Sequence, residues 1–222
     1  MQTFNIPQNP KVLIFDIDST LYTCPEYAHE QIDSQVRYWA SQNNMTADTA
    51  RKMIAEYRRK WALDHNGQKI SLGNLFTAFG VPIETSIEWR KKLFDPAKYL
   101  KKDEMLASAL RTLSERFKLI CVTNNPVAPA RKTLEVIGIS DFFPEGNIVG
   151  LDTLNLSKPS KKILDYAIKI ASDSLKIQIG YSDCVSIGDR YDIDLALAVE
   201  LGMGGILVSG AEETAKLPEI LL

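Results

Sequence analysis

The sequence predicts an α/β fold in which a doubly wound, parallel five-stranded sheet carries an inserted α-helical domain. Three features lead there. Short apolar runs of strand length recur at 12–15, 118–122, 147–149, 185–187 and 205–208. From residue 104 onward, helix-period segments alternate with these runs, the pattern of parallel strands joined by crossovers. Residues 22–99 hold only helix-period pattern, so the sheet is interrupted once, after its first strand.

The first run, Val12 to Phe15, is apolar throughout and bounded by polar residues. Such a run suits a parallel strand covered on both faces, where no alternation is needed. In the insert, residues 26–42 place Ile32, Val36 and Trp39 at helical spacing. Residues 46–63 repeat the pattern with Met53, Ile54, Tyr57 and Trp61, and Thr46 followed by Asp48 and Thr49 reads as a helix entry. Gly67, Gly73, Gly80 and Pro82 then punctuate the chain, leaving shorter helices near 72–79 and 83–93. All three tryptophans, Trp39, Trp61 and Trp89, fall here and are expected to form the insert's own small core. Domain limits of 1–21 with 100–222, and 22–99, follow.

In the second half, residues 104–117 set Leu106, Leu110 and Leu113 on one helical face before the strand 118–122. A helix at 130–137 ends at Gly138, a natural C-cap. The strand 147–149, a helix at 161–171, the strand 185–187, a helix at 193–201 and the strand 205–208 complete the order. There is no internal repeat or low-complexity segment.

Composition sets compatible bounds. A chain of 222 residues has room for one medium domain, or a domain with an inserted module. Hydrophobic content of 45% and charged content of 24% are ordinary for a globular protein in water. A formal net charge of −2 argues against a nucleic acid polymer or an anionic membrane surface as main partner. Cys24, Cys121 and Cys184 are odd in number and lack metal-site spacing, so no disulfide framework is expected and a reducing cytoplasm fits. Residues 1–10 are polar with two prolines, unlike a signal peptide, and Glu200 interrupts the most apolar stretch, 195–208, so no membrane span is expected.

Chemistry concentrates where strands end. Asp16 and Asp18, with Ser19 and Thr20, follow the first strand directly, at the rim where open α/β sheets bind ligands. Two carboxylates there repel each other unless a cation or a catalytic task holds them together. A helix cap or a loop turn is the plainer alternative for such a pair. Three later segments weigh against it. The strand 118–122 runs into Thr123-Asn124-Asn125, Lys158 stands between Ser157 and Pro159 ahead of a helix, and Gly188-Asp189 closes the strand 185–187, followed by Asp192 and Asp194. Each alone has a capping, turn or solvated reading; together, in this order, they make a site. Elsewhere the polar residues read as structural. Arg51, Lys52, Arg58, Arg59 and Lys60 suit a solvated helix face, His29 and His65 lack partners at ligand spacing, and Asp192 suits a helix N-cap.

With these four segments the chain resembles the haloacid dehalogenase superfamily of phosphohydrolases, whose signatures match Asp16-Ile17-Asp18-Ser19-Thr20, Thr123-Asn124, Lys158, and Gly188-Asp189 with Asp194. The resemblance implies a helical cap at 22–99 that closes over the rim, and small phosphorylated metabolites as substrates. It implies Asp16 as nucleophile forming an aspartyl phosphate, and Asp18 as general acid and then general base. Mg²⁺ would be held by Asp16, Asp189 and the backbone carbonyl of Asp18, with Asp194 orienting bound waters. Thr123, the Asn124 N–H and Lys158 would hold phosphate oxygens. An acid at Asp18 points to a phosphatase or a phosphomutase and does not separate them. The string from Asp16 to Leu21-Tyr22 is similar to that of pyrimidine 5′-nucleotidase-like members, while Gly188-Asp189 departs from their paired acids. Nucleoside monophosphate, phosphoglycolate and sugar phosphate all stay open. Loss of Asp16 or Asp18 would have favoured a non-catalytic metabolite-binding protein, and both are present.

Overall fold

The computed structural model describes residues 1–67 and 70–222. The chain opens with β1 (Gln2–Phe4) and β2 (Val12–Phe15), then enters four helices: α1 (Pro25–Gln42), α2 (Ala47–Asp64), α3 (Leu72–Ala78) and α4 (Ile83–Leu93). It returns through α5 (Glu104–Ser114), β3 (Lys118–Val122), α6 (Val127–Val136), β4 (Ile148–Val149), α7 (Leu151–Leu154) and α8 (Lys161–Leu175). Then come β5 (Cys184–Gly188), a π-helical turn at Tyr191–Leu195, α9 (Ala196–Glu200), β6 (Gly204–Leu207), α10 (Ala211–Thr214) and α11 (Pro218–Leu221).

The strands form one sheet in the order β1-β6-β5-β2-β3-β4. Five of them pair in parallel, with Phe15 level with Cys121 on one side and Ile187 on the other. The connection from β4 to β5 crosses back past β2. The winding therefore reverses at β2, and a crevice at the carboxyl end of that strand is where such sheets bind ligands. Every residue of β2 and β5 is buried, as strands covered on both faces must be. Ile14, Ile120 and Val122 share an apolar cluster with Ile163, Leu164 and Ala167 of α8, the amphipathic helix laid against them.

A sixth strand corrects the expected five. β1 runs antiparallel to β6, with Thr3 level with Ile206. It lies at the sheet edge with Gln2 and Thr3 exposed, so no apolar run marked it. An antiparallel edge strand on an otherwise parallel sheet is a common variant. The expected helix at 193–201 is also altered: it begins as the π-helical turn and is regular only over α9. Asp192 lies exposed inside that turn and caps nothing; Arg190 occupies the N-cap position.

The chain divides into two compact units, Met1–Cys24 with Pro96–Leu222, and Pro25–Asp95. The second has its own core of Val36, Trp39, Ile54, Leu75 and Phe76, with Trp61 and Trp89 packed against it. Trp39 stacks on Phe79 at a centroid distance of 5.1 Å, and Phe76 meets Trp89 edge-on at 5.5 Å. α2 starts as its composition demands: the Thr46 side chain accepts from the Thr49 N–H at 3.2 Å. The basic residues of α2 are not uniformly solvated. Arg51 reaches the largely buried Asp33 of α1 with Nε at 2.8 Å, and also holds Asp48. Lys60 pairs with Glu56 one turn back, and Arg58 is half-buried, which lowers its pKa. His65 stacks flat on Trp61 at 3.7 Å, and His29 is exposed. Cys24, Cys121 and Cys184 form no disulfide among the described residues. Among the described residues no helix is long and apolar enough to cross a membrane.

Candidate active site

The first unit gathers the predicted polar residues at the carboxyl ends of β2, β3 and β5. Asp16 follows β2 and is tied by its N–H to the carbonyl of Ile187 at 2.9 Å, so sheet pairing fixes its backbone. Thr123 follows β3 and donates its N–H to Val149 at 2.9 Å. Asp189 follows β5. The π-helical turn then returns Asp194 toward the same spot, where its carbonyl accepts from Ser186 Oγ at 2.8 Å. Gly188 is what permits this return. A Cβ there would lie 2.4 Å from the Asp194 Cβ, so no larger residue leaves room for Asp194.

Asp16, Asp189 and Asp194 each place a carboxylate oxygen within 4.8 Å of the others. Lys158 is the buried cation among them, with Nζ 2.5 Å from Asp16 Oδ1 and 2.7 Å from Asp194 Oδ1. Three carboxylates against one ammonium leave an excess of negative charge in a buried space. Burial raises the Asp16 carboxyl to about 7; Lys158 opposes the rise, and Asp194 and Asp18 add to it. Burial likewise raises Asp189, with Asp194 adding to it. Lys158 is held above the usual lysine range: burial opposes its charge, and the Asp16 and Asp194 carboxylates outweigh that.

Asp189 Oδ1 is buried and has no hydrogen-bond partner among the described residues. Arg190 Nε lies 3.8 Å from it, beyond hydrogen-bond reach. An acceptor in that condition calls for a ligand, and hard oxygen donors with excess negative charge suit a divalent cation such as Mg²⁺. The donor set therefore fits that metal. Asp194 is no outlying residue, because its carboxylate belongs to the same cluster and also accepts the Arg190 N–H at 3.1 Å.

Thr123-Asn124-Asn125 serves three partners in succession. The Thr123 hydroxyl accepts from the Asn125 N–H at 3.1 Å, which leaves its own proton to donate to an anion. Asn124 clasps the backbone of Lys158, accepting its N–H at 2.6 Å and donating to its carbonyl at 3.4 Å. Asn125 donates to Asp18 Oδ2 at 2.9 Å, while the buried Tyr22 hydroxyl donates to Asp18 Oδ1. The side-chain work of Asn124, and the parts played by Asn125 and Tyr22, escaped sequence reasoning. Asn125 stood in the string after β3, but its partner lies 107 positions away. Tyr22 stands just after the first signature, inside the span 22–99 expected for the insert, and belongs to the unit that holds the site.

Solved structures of similar fold exist among known proteins. The chain matches a HAD phosphatase from Thermococcus onnurineus at 22% identity and a TM-score of 0.61, over 89% of this chain and 86% of that one. It matches the putative HAD-hydrolase YfnB from Bacillus subtilis, bound to magnesium, at 18% and 0.58, over 96% and 99%. A 2-haloacid dehalogenase from Pseudomonas syringae pv. Tomato DC3000 stands at 18% and 0.57, over 96% and 98%. At these identities the likeness is one of fold. A family model carries more: the haloacid dehalogenase-like hydrolase model matches residues 10–202, most of the chain, and the protein therefore belongs to that family.

Proposed function

We propose that the chain is a Mg²⁺-dependent phosphoric monoester hydrolase that cleaves small phosphorylated metabolites through a phosphoryl group carried on Asp16. The observation that supports this most is the buried cluster of Asp16, Asp189 and Asp194 around Lys158, with Asp189 Oδ1 left without a hydrogen bond. Asp16, Asp189 and the backbone carbonyl of Asp18 would hold the metal, with Asp194 beside them. A bound Mg²⁺ supplies neutralisation of phosphoryl oxygens and fixes their orientation. The similar Bacillus subtilis protein was solved with magnesium, which accords with this donor set.

Asp16 attacks phosphorus, forming an O–P bond as the ester O–P bond breaks, and Asp18 gives its proton to the departing oxygen. Water then attacks the same phosphorus, Asp18 takes its proton, and Asp16 is released with inorganic phosphate. Thr123 and Lys158 hold phosphoryl oxygens through both steps. The aspartyl phosphate is a mixed anhydride and hydrolyses readily, which suits a turnover enzyme.

Dehalogenation is the competing reading, since one similar structure is a 2-haloacid dehalogenase. Asp18 weighs against it. A departing halide needs no proton, whereas a departing alkoxide does, and here a carboxyl is held for the task by two donors. A panel of nucleoside monophosphates, sugar phosphates, phosphoglycolate and chloroacids, assayed with and without Mg²⁺, tests the proposal. Phosphate release that requires Mg²⁺ and vanishes in Asp16→Asn is the expected result. Halide release without phosphate release would overturn it.

A further inference from the structure

We propose that Asn125 and Tyr22 are positioning residues that hold the Asp18 carboxyl for its work on the departing oxygen. This rests on the phosphatase reading above. The Asn125 side-chain amide donates to Asp18 Oδ2 at 2.9 Å. The Tyr22 hydroxyl meets Oδ1, and it can donate to a carboxylate or accept from a carboxyl. Each carboxyl oxygen is thus met by a side chain from a different segment, one after β2 and one after β3, which fixes the way the Asp18 group faces.

Asn125 is itself immobilised. Its N–H is tied to Thr123 Oγ1 at 3.1 Å, and its carbonyl accepts the Leu151 N–H at 2.9 Å. Gly150 packs so tightly on it that a Cβ there would lie 2.8 Å from that carbonyl oxygen. The Asp152 carboxylate accepts the Val127 N–H at 2.8 Å and steadies the start of α6 just beyond. Tyr22 is 4% exposed, so its hydroxyl is not a solvated group that met Asp18 by chance. The residue that ties Asp18 is therefore bonded directly to the residue expected to hold phosphate, Thr123. Proton donor and phosphoryl group are set in one frame.

The test compares two esters. Transfer to Asp16 from an aryl phosphate with a strongly acidic phenol needs little help from an acid, whereas an alkyl phosphate needs its leaving oxygen protonated. The quantity to read is kcat/KM with Mg²⁺ present, because it reports steps up to phosphorylation of Asp16 and excludes the later attack of water. Tyr22→Phe and Asn125→Ala should lose about 10–100-fold on the alkyl ester, part of the roughly 10²–10⁴-fold that a general acid contributes. On the aryl ester the same variants should lose less than about threefold. Asp18→Asn should show the same selectivity more strongly. Equal losses on both esters, or none, would overturn the proposal, since a merely structural role lowers both together. Should Asn125→Ala not fold, Tyr22→Phe, which removes a single oxygen, still decides the matter. A wild-type protein inert toward both esters would instead refute the phosphatase reading, and this inference with it.

Discussion

At the scale of single residues, the site depends on close approach and on charge that the protein alone leaves unbalanced. Gly188→Ala tests the first. The new methyl group would collide with the Asp194 Cβ at 2.4 Å and its Cγ at 2.6 Å, loosening the contact of Asp194 with Lys158. Overpacking of this kind costs about 1–3 kcal/mol. Metal affinity or activity should fall about 10–100-fold, as when partners around a metal site are lost. Calorimetric Mg²⁺ titration and a thermal melt would show both. Charge is tested through Asp16, whose carboxyl is raised to about 7 by burial. A group raised in the folded state favours folding fully below its unfolded value and loses that contribution as pH climbs through the folded value. Without metal, wild type should therefore lose stability relative to Asp16→Asn between about pH 4 and pH 7, and Mg²⁺ should restore it. Parallel stability–pH curves for the two metal-free proteins would contradict this. Asp16, Thr123 and Asp189 were legible because each directly follows a buried apolar strand, and Asp18 because it stands two residues beyond Asp16, a local signal. Asn125 and Tyr22 were not, because what matters is which side chain they hold, and that follows only once β2 and β3 lie side by side.

Elements were legible in proportion to how deeply they are buried. The inner strands announced themselves as apolar runs, whereas β1 is a three-residue edge strand whose exposed Gln2 and Thr3 carry no such mark. The helices of the Pro25–Asp95 unit were visible from their apolar spacing, but the ion pairs between them were not. Arg51 joins α2 to α1 through Asp33, holding it with Nε at 2.8 Å and a second nitrogen at 3.0 Å, while Arg37 holds it from its own helix. These hydrogen bonds, that to Arg51 foremost, set the Asp33 carboxyl below its ordinary value. A depressed carboxyl contributes stability above its unfolded value, and that contribution is lost as pH falls through the folded value. The helical unit should thus weaken below about pH 4, and Asp33→Asn should weaken it at pH 7 while flattening its acid dependence. All three tryptophans lie in this unit, so their fluorescence during urea unfolding reads it selectively. An unchanged urea midpoint in Asp33→Asn at pH 7 would show that the α1–α2 link contributes nothing.

On the scale of the whole molecule, the proposed chemistry and the choice of substrate can be tested apart. Asp16, Asp18, Tyr22, Thr123, Asn124, Asn125, Lys158, Asp189 and Asp194 all lie in the unit Met1–Cys24 with Pro96–Leu222. The Pro25–Asp95 unit holds none of them and has an aromatic core of its own. Two chain crossings join the units, so an exchange of 25–95 for the helical insert of another family member alters no hydrogen bond described around Asp16, Asp18 or Lys158. If the insert selects the substrate, the chimera should rank phosphate esters differently from the parent, yet still need Asp16, Lys158 and Mg²⁺. An activated aryl phosphate should remain a substrate, at a reduced rate, because binding energy from remote parts of the preferred ester no longer lowers its barrier. Specificity constants across the ester panel, for parent and chimera side by side, measure this directly. A folded chimera that kept the parent ranking would place selection on the loops after β2, β3 and β5, the same loops that carry the groups proposed for catalysis. Substrate choice and chemistry would then be inseparable in this chain.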